Sequence, residues 1–248
     1  MAKIDKDGVI RGKIGDLVYR NYRGQQIIQR VADKTKKSEK VKKNNTEFGY
    51  ASGKESTLRN FYVDTLKLYN DGNLHNRHRK ILYELLIHNL AKKAGERYLL
   101  DGNPKQYIGL EFNVNSLWEN FMPYYIPIKE TDKNITVEIP SLYSELFYKK
   151  MKDKKLDHLK LSFNIISMDP DLSQEHSLIL LNQREMILYP NQKIESFNWE
   201  ISNLPPNRFI LVVGKIEYFE MNSIYGLRTI NSKELCPSCI LYASKFIS

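Results

Sequence analysis

The chain has 248 residues, 42% of them hydrophobic, and a formal net charge of +9. With 16 Tyr, 10 Phe and two cysteines, it has the composition of a folded, β-rich body, which excludes a disordered chain and a disulfide-stapled scaffold. The charge is concentrated at one end: residues 1–45 hold thirteen Lys or Arg against five acids, a net of +8, so the remainder is almost neutral. A basic arm on a neutral body points to an anionic partner or a crowded assembly. The longest apolar run, Phe209-Ile-Leu-Val-Val213, is far below the roughly 18–20 residues of a membrane helix. The opening residues also lack the apolar core of a secretory signal. The expectation is a cytoplasmic protein with no membrane partner.

The arm, residues 1–45, contains a hairpin pattern. Leu17-Val-Tyr-Arg-Asn-Tyr22 and Gln25-Gln-Ile-Ile-Gln-Arg-Val31 are two β-prone segments joined at Arg23-Gly24, where glycine supplies a positive φ. Such a hairpin buries too little to stand alone, so it has to dock on the body, another subunit or a ligand. The lysine-rich stretch 34–43 has no apolar period and reads as a solvated linker.

Residues 46–98 read as a helical hairpin. Leu58, Phe61, Tyr62, Thr65, Leu66 and Tyr69 recur at spacings of three and four, and Leu74, Ile81, Leu82 and Leu85 do the same. Between them Asp71-Gly72-Asn73 combines a helix-ending glycine with an N-capping asparagine, and Gly95 ends the second helix. Arg77, Lys80 and His88 fall on a partly polar face, either extending a basic surface or simply solvated, with Lys80–Glu84 as an i,i+4 pair.

Residues 105–248 read as an antiparallel β-sandwich, so the fold class is α+β. The expected strands are 106–112, 124–129, 135–139, 158–166, 176–189, 195–201, 208–219 and 226–245, the last split at Pro237. Ile135-Thr-Val-Glu-Ile139 and Phe197-Asn-Trp-Glu-Ile201 alternate cleanly, which places Phe197, Trp199 and Ile201 on one inward face. Residues 141–150 have room for one or two helical turns.

Motifs for chemistry are sparse. Cys236-Pro-Ser-Cys239 is a turn-and-strand-end pair, a redox pair, or half of a metal site, and no second cysteine pair exists to complete a four-cysteine zinc centre. Asp169-Pro-Asp171 reads as a turn. There is no phosphate-cradling G-x-x-x-x-G-K-[ST] or G-x-G-x-x-G, and neither G-x-S-x-G nor H-E-x-x-H occurs. The chain therefore reads as a non-enzymatic protein with no cofactor.

The candidate site is the arm. Arg20, Arg23, Arg30, Lys34, Lys36, Lys37, Lys40, Lys42 and Lys43 would contact phosphates, with Tyr19 and Tyr22 stacking on bases or sugars of a nucleic acid or ribonucleoprotein. The competing reading is a structural subunit of a protein assembly, such as a phage-like particle, whose arm adds to a neighbouring subunit's sheet edge in a homo- or hetero-oligomer.

The spacing Gly8-x-x-x-Gly12-Lys-x-Gly15-x-x-Val18, then Gly24 and Arg30, resembles the opening of a family of uncharacterised bacterial proteins. Arg59-Asn-Phe61, Gly109-Leu-Glu-Phe-Asn113 and Val212-Val-Gly-Lys-Ile-Glu-Tyr-Phe219 are similar to later segments of that group. The resemblance implies a glycine- and arginine-bearing arm, a helical segment and a β-rich remainder, and carries over no activity or ligand.

Overall fold

The structure, a computed structural model, describes residues 2–22, 24–31, 38–131, 134–151, 155–172 and 177–246. It divides into two compact units, Met1–Lys42 and Lys43–Ser248, and is α+β with antiparallel pairing throughout its described sheets.

The first unit is a four-stranded meander: β1 (Lys3–Ile4), β2 (Ile10–Ile14), β3 (Leu17–Tyr22) and β4 (Gln25–Arg30), paired in chain order. The expected hairpin is its β3–β4 half, in register from Leu17 opposite Arg30 to Tyr22 opposite Gln25, with Gly24 at φ 80°. The sequence reading missed β1 and β2. Their β1–β2 turn is held by Asp5, whose Oδ1 accepts from the amide of Val9 at 2.9 Å while Oδ2 pairs with Arg11 at 3.2 Å.

Helix α1 spans Glu39–Leu66, so the basic stretch expected as linker is helical from residue 39. The start has a local cause. Ser38 Oγ accepts from the amide of Val41 at 3.3 Å, and Glu39 in the first turn pairs with Lys42 at 2.6 Å. Helix α2 spans Leu74–Ile87. The loop between them differs from expectation: Asn73 makes no side-chain cap, and Asp71 organises the turn instead. Its Oδ1 accepts from the Asn73 amide at 2.8 Å, while Oδ2 accepts from the Val114 amide at 3.0 Å and pairs with Arg77 at 2.8 Å. Gly95 lies beyond the end of α2, its amide donating to Glu47 Oε1 at 2.7 Å.

After the one-turn helix α3 (Trp118–Phe121), the strand-rich region runs through β5 (Ile128–Glu130), β6 (Ile135–Ile139), β7 (Leu142–Tyr143) and α4 (Ser144–Tyr148). It continues with β8 (Leu156–Met168), β9 (Leu178–Leu188), β10 (Lys193–Ile194), β11 (Phe197–Ile201), β12 (Phe209–Asn222), β13 (Gly226–Thr229) and β14 (Ser238–Lys245). In the main sheet β12 pairs with β8 on one side and with β14 and β13 on the other, and β9 flanks β8. A smaller sheet, β11-β6-β5, faces it. The segment expected as a strand at 106–112 is instead a 3-10 turn at Pro104–Tyr107, capped by Asn103, followed by an isolated bridge from Glu111 to Cys239.

The long strands β8 and β12 are apolar on both faces because both faces are covered. Leu159, Leu161, Phe163 and Ile165 with Ile210, Val212, Ile216 and Tyr218 pack on Ile135, Val137, Ile139 and Ile201 of the small sheet. Ile166, Met168, Phe209, Leu211 and Val213 pack on Leu58, Tyr62 and Leu66 of α1 and Leu82, Leu85 and Leu86 of α2. The sandwich thus has a third, helical layer, and the stretches 46–98 and 105–248 share one core within Lys43–Ser248. Gly214 marks a close approach in it: a Cβ there would stand 2.6 Å from Trp118 Cη2.

Candidate functional site

In an antiparallel ladder, residues directly opposite share a face and neighbours along a strand alternate. The register of the first unit therefore sorts every arm side chain. Ile4, Ile10, Ile14, Leu17, Tyr19, Asn21, Gln26, Ile28 and Arg30 lie on one face, and Lys3, Arg11, Lys13, Val18, Arg20, Tyr22, Gln25, Ile27 and Gln29 on the other. One face is thus apolar with a single cation, and its reverse is basic.

Hydrogen bonds agree with this sorting. Arg20 donates to Gln29 across the basic face. On the apolar face, Gln26 Nε2 donates to the Ile10 carbonyl at 2.7 Å and its Oε1 accepts from the Ile10 amide at 3.4 Å. Strands two apart in a flat sheet stand nearly 10 Å from each other, twice the roughly 4.8 Å spacing of neighbours. A glutamine spans that gap only if the sheet curls, which brings β2 toward the apolar face. Even so, none of the described residues in 2–31 is buried. Ile4, Ile14, Leu17 and Ile28 keep 71%, 54%, 41% and 57% of their surface in solvent.

The residues singled out in the sequence are consequently not one site. Arg20 and Tyr22 share the basic face; Tyr19 and Arg30 are on the apolar one. Lys40, Lys42 and Lys43 lie at the start of α1, with Lys42 paired to Glu39, and Lys43 begins the second unit. Arg23, Lys34, Lys36 and Lys37 lie outside the described residues. The partners that the register gives Arg20 are Lys3, Arg11 and Lys13, which the sequence reading missed. Their signal was the period-two placement of Arg11 and Lys13 around Gly12.

The remaining motifs resolve into packing. Cys236 and Cys239 are buried free thiols. The Cys236 sulfur accepts from the Tyr69 amide at 3.4 Å, and its own amide donates to Ser116 Oγ at 2.8 Å. Burial, then the neighbouring Glu111 carboxylate, holds the Cys239 thiol well above its ordinary pKa. Asp171 is a structural acceptor, taking the amides of Leu99 at 3.0 Å and Leu100 at 2.7 Å and the hydroxyl of Tyr50. Among the described residues no group of three or more His, Cys, Asp or Glu is placed to hold a metal ion, and no helix is long and apolar enough to cross a membrane.

Histidine 78 is the surprise. It is buried beneath α1, with Nδ1 3.7 Å from Glu55 Oε1 and Nε2 3.4 Å from the Tyr107 hydroxyl. Burial lowers its pKa against the pull of Glu55, so the ring is neutral. Glu55 is lowered in turn: burial raises it, but His78 and Arg59, the latter at 2.9 Å, prevail. No family model, curated protein or solved structure matches the chain.

Proposed function

We propose that this is a non-enzymatic assembly subunit whose N-terminal sheet completes its fold by pairing its apolar face with that of a second copy. The observation that carries the reading is a four-stranded sheet without one buried side chain among its described residues. A sheet of that size needs a covered apolar face to be stable, and burying each of Ile4, Ile14, Leu17 and Ile28 contributes about 1.5–3 kcal/mol. Charge favours a second copy as the occupant. The apolar face carries Arg30 as its one charged residue among those in register, so two such faces meet with little repulsion, whereas the reverse, with Lys3, Arg11, Lys13 and Arg20, repels itself. We place the assembly in the cytoplasm. A phage-like particle is one assembly of this kind.

A second reading rests on the basic face. Lys3, Arg11, Lys13 and Arg20 form a row suited to the phosphates of a nucleic acid or ribonucleoprotein, and it stays open when the apolar face is occupied. Light scattering of the full chain against Leu17→Asp/Ile28→Asp tests the first reading. Concentration-dependent mass that the double variant abolishes supports it; equal masses for both proteins refute it. The absorbance ratio at 260 and 280 nm of the natively purified protein tests the second.

A further inference from the structure

Within the second unit, α1 and α2 carry a polar stripe beside the ring contacts between them, Phe48 against Tyr83 and Tyr62 against His78. Ser52, Glu55, Ser56 and Arg59 follow the three-and-four spacing of one stripe on α1, and His75 and Arg79 are one turn apart on α2. With Asn70 and Gly72 of the connecting loop they line a cavity of about 360 Å³.

The chemistry of the lining is one-sided. Its one carboxylate, Glu55, is occupied by the Arg59 Nε at 2.9 Å and backed by the neutral His78. Arg79 has no ion pair among the described residues; its guanidinium lies 5.9 Å over the Phe48 ring, and its Nε is buried without a hydrogen-bond partner. Ser52 Oγ is buried and unpartnered as well. Asn70 accepts from the Gly72 amide at 3.0 Å through its Oδ1, which leaves its Nδ2 donor for the cavity. His75 Nδ1 is 3.1 Å from the Gly72 carbonyl, to which it donates. Two guanidinium groups against one carboxylate leave a net positive charge, and a buried hydroxyl and a buried Nε–H without acceptors leave donors to be satisfied.

We propose that this cleft between α1 and α2 binds a small tetrahedral oxyanion, inorganic phosphate or the phosphate of a monoester, with Arg79 and Arg59 supplying charge and Ser52, Ser56 and Asn70 supplying neutral donors. Planar, multiply donating arginines suit such an anion. Every residue of its lining lies in the second unit.

Titration of the full chain with inorganic phosphate at constant ionic strength, followed by calorimetry, tests it, with a simple phosphate monoester in a parallel arm to distinguish the two sources. Saturable one-to-one binding is expected, weakened about tenfold or more by Arg79→Gln and less by Ser52→Ala, with Lys80→Gln as an unaffected neighbour. Tighter binding of the monoester than of phosphate would assign the rest of the cavity to its organic part, and equal binding would assign free phosphate. The proposal fails if no heat saturates by about 10 mM, where even a millimolar site is filled. It fails equally if Arg79→Gln and Ser52→Ala bind like the parent, or if Lys80→Gln weakens binding as much as Arg79→Gln does. Thermal melts of each variant identify any loss caused by unfolding, and Ser52→Ala, which removes one unpartnered hydroxyl, keeps the test decisive if Arg79→Gln melts early.

Discussion

Tyr19 and Tyr22, three residues apart on β3, project from opposite faces of the N-terminal sheet: Tyr19 opposite Ile28, Tyr22 opposite Gln25. Two rings so placed do not stack on successive bases of one strand, and the arm's tyrosines and arginines are divided between two surfaces, Tyr22 with Arg20 and Tyr19 with Arg30. Tyr19→Ala and Leu17→Ala should therefore weaken self-association and leave any nucleic-acid affinity unchanged. Arg20→Gln should leave association intact and flatten the slope of log K against log salt by about 0.7–0.9, one phosphate's worth. Arg30→Gln should not move that slope. If Arg20 and Arg30 variants behaved alike in the salt titration, the assignment of faces would be wrong.

The contact between Gly214 and Trp118 sets a second expectation. A methyl group at 214 meets the indole 2.6 Å away and Leu241 Cδ1 2.9 Å away, and overpacking of this kind costs about 1–3 kcal/mol. Gly214→Ala should lower the urea midpoint, and shrinking the indole in Gly214→Ala/Trp118→Leu should recover part of that loss relative to the sum of the single changes. Strict additivity in the cycle would show that the two positions do not meet.

Glu111 links stability to pH. Burial raises its pKa to about 7, against the lowering effect of the Trp118 amide, 3.1 Å from Oε2, and of the Cys239 thiol. The folded state therefore holds a proton that the unfolded state releases near the ordinary value of 4.5. Stability from this group is present below about 4.5 and lost as pH rises to about 7, a swing on the order of 1–2 kcal/mol once solvent screening is allowed for. Glu111→Gln should flatten the stability profile across that window, measured by urea melts at pH 5, 6, 7 and 8 (about one unit apart). A parent profile that rises from pH 5 to 8 by the same amount with or without Glu111 would contradict this. Alongside, Cys236 and Cys239 should resist a thiol reagent until denaturant is added, because both are buried and burial holds the Cys239 thiol well above its ordinary pKa.

Much of the fold was legible where one face is wet. Ile135–Ile139 and Phe197–Ile201 show period two, Leu17–Tyr22 and Gln25–Arg30 are β-prone segments joined at a glycine, and all four are strands at or near the expected bounds. Phe197 and Trp199 pack on the core that buries Ile201, as their alternation indicated. Strands β1 and β2 were hidden because glycines at 8, 12 and 15 cut them into pieces too short to show a period. The start of α1 was hidden because Glu39–Lys43 has no apolar stripe and rests on the Ser38 cap and the Glu39–Lys42 pair. Residues 106–112 look like a strand, yet the Asn103-Pro104 start winds Pro104–Tyr107 into a 3-10 turn. The arm's site was half legible: the basic residues were visible by charge, and the alternation that divides them between two faces appears only with the register. The Glu55–His78 pair was out of reach, since nothing local links residues on two helices.

In the proposed assembly, the N-terminal sheet is incomplete until its apolar face is covered. Amide hydrogen exchange across residues 10–30, measured on the concentrated protein and on the Leu17→Asp/Ile28→Asp variant, tests it most directly. Protection of the β3–β4 ladder is expected in the associated parent, lost on dilution and lost in the variant, while β8 and β12 stay protected in all three. Equal protection of that ladder in the dilute monomer and in the variant would show that the sheet is stable by itself and needs no second copy.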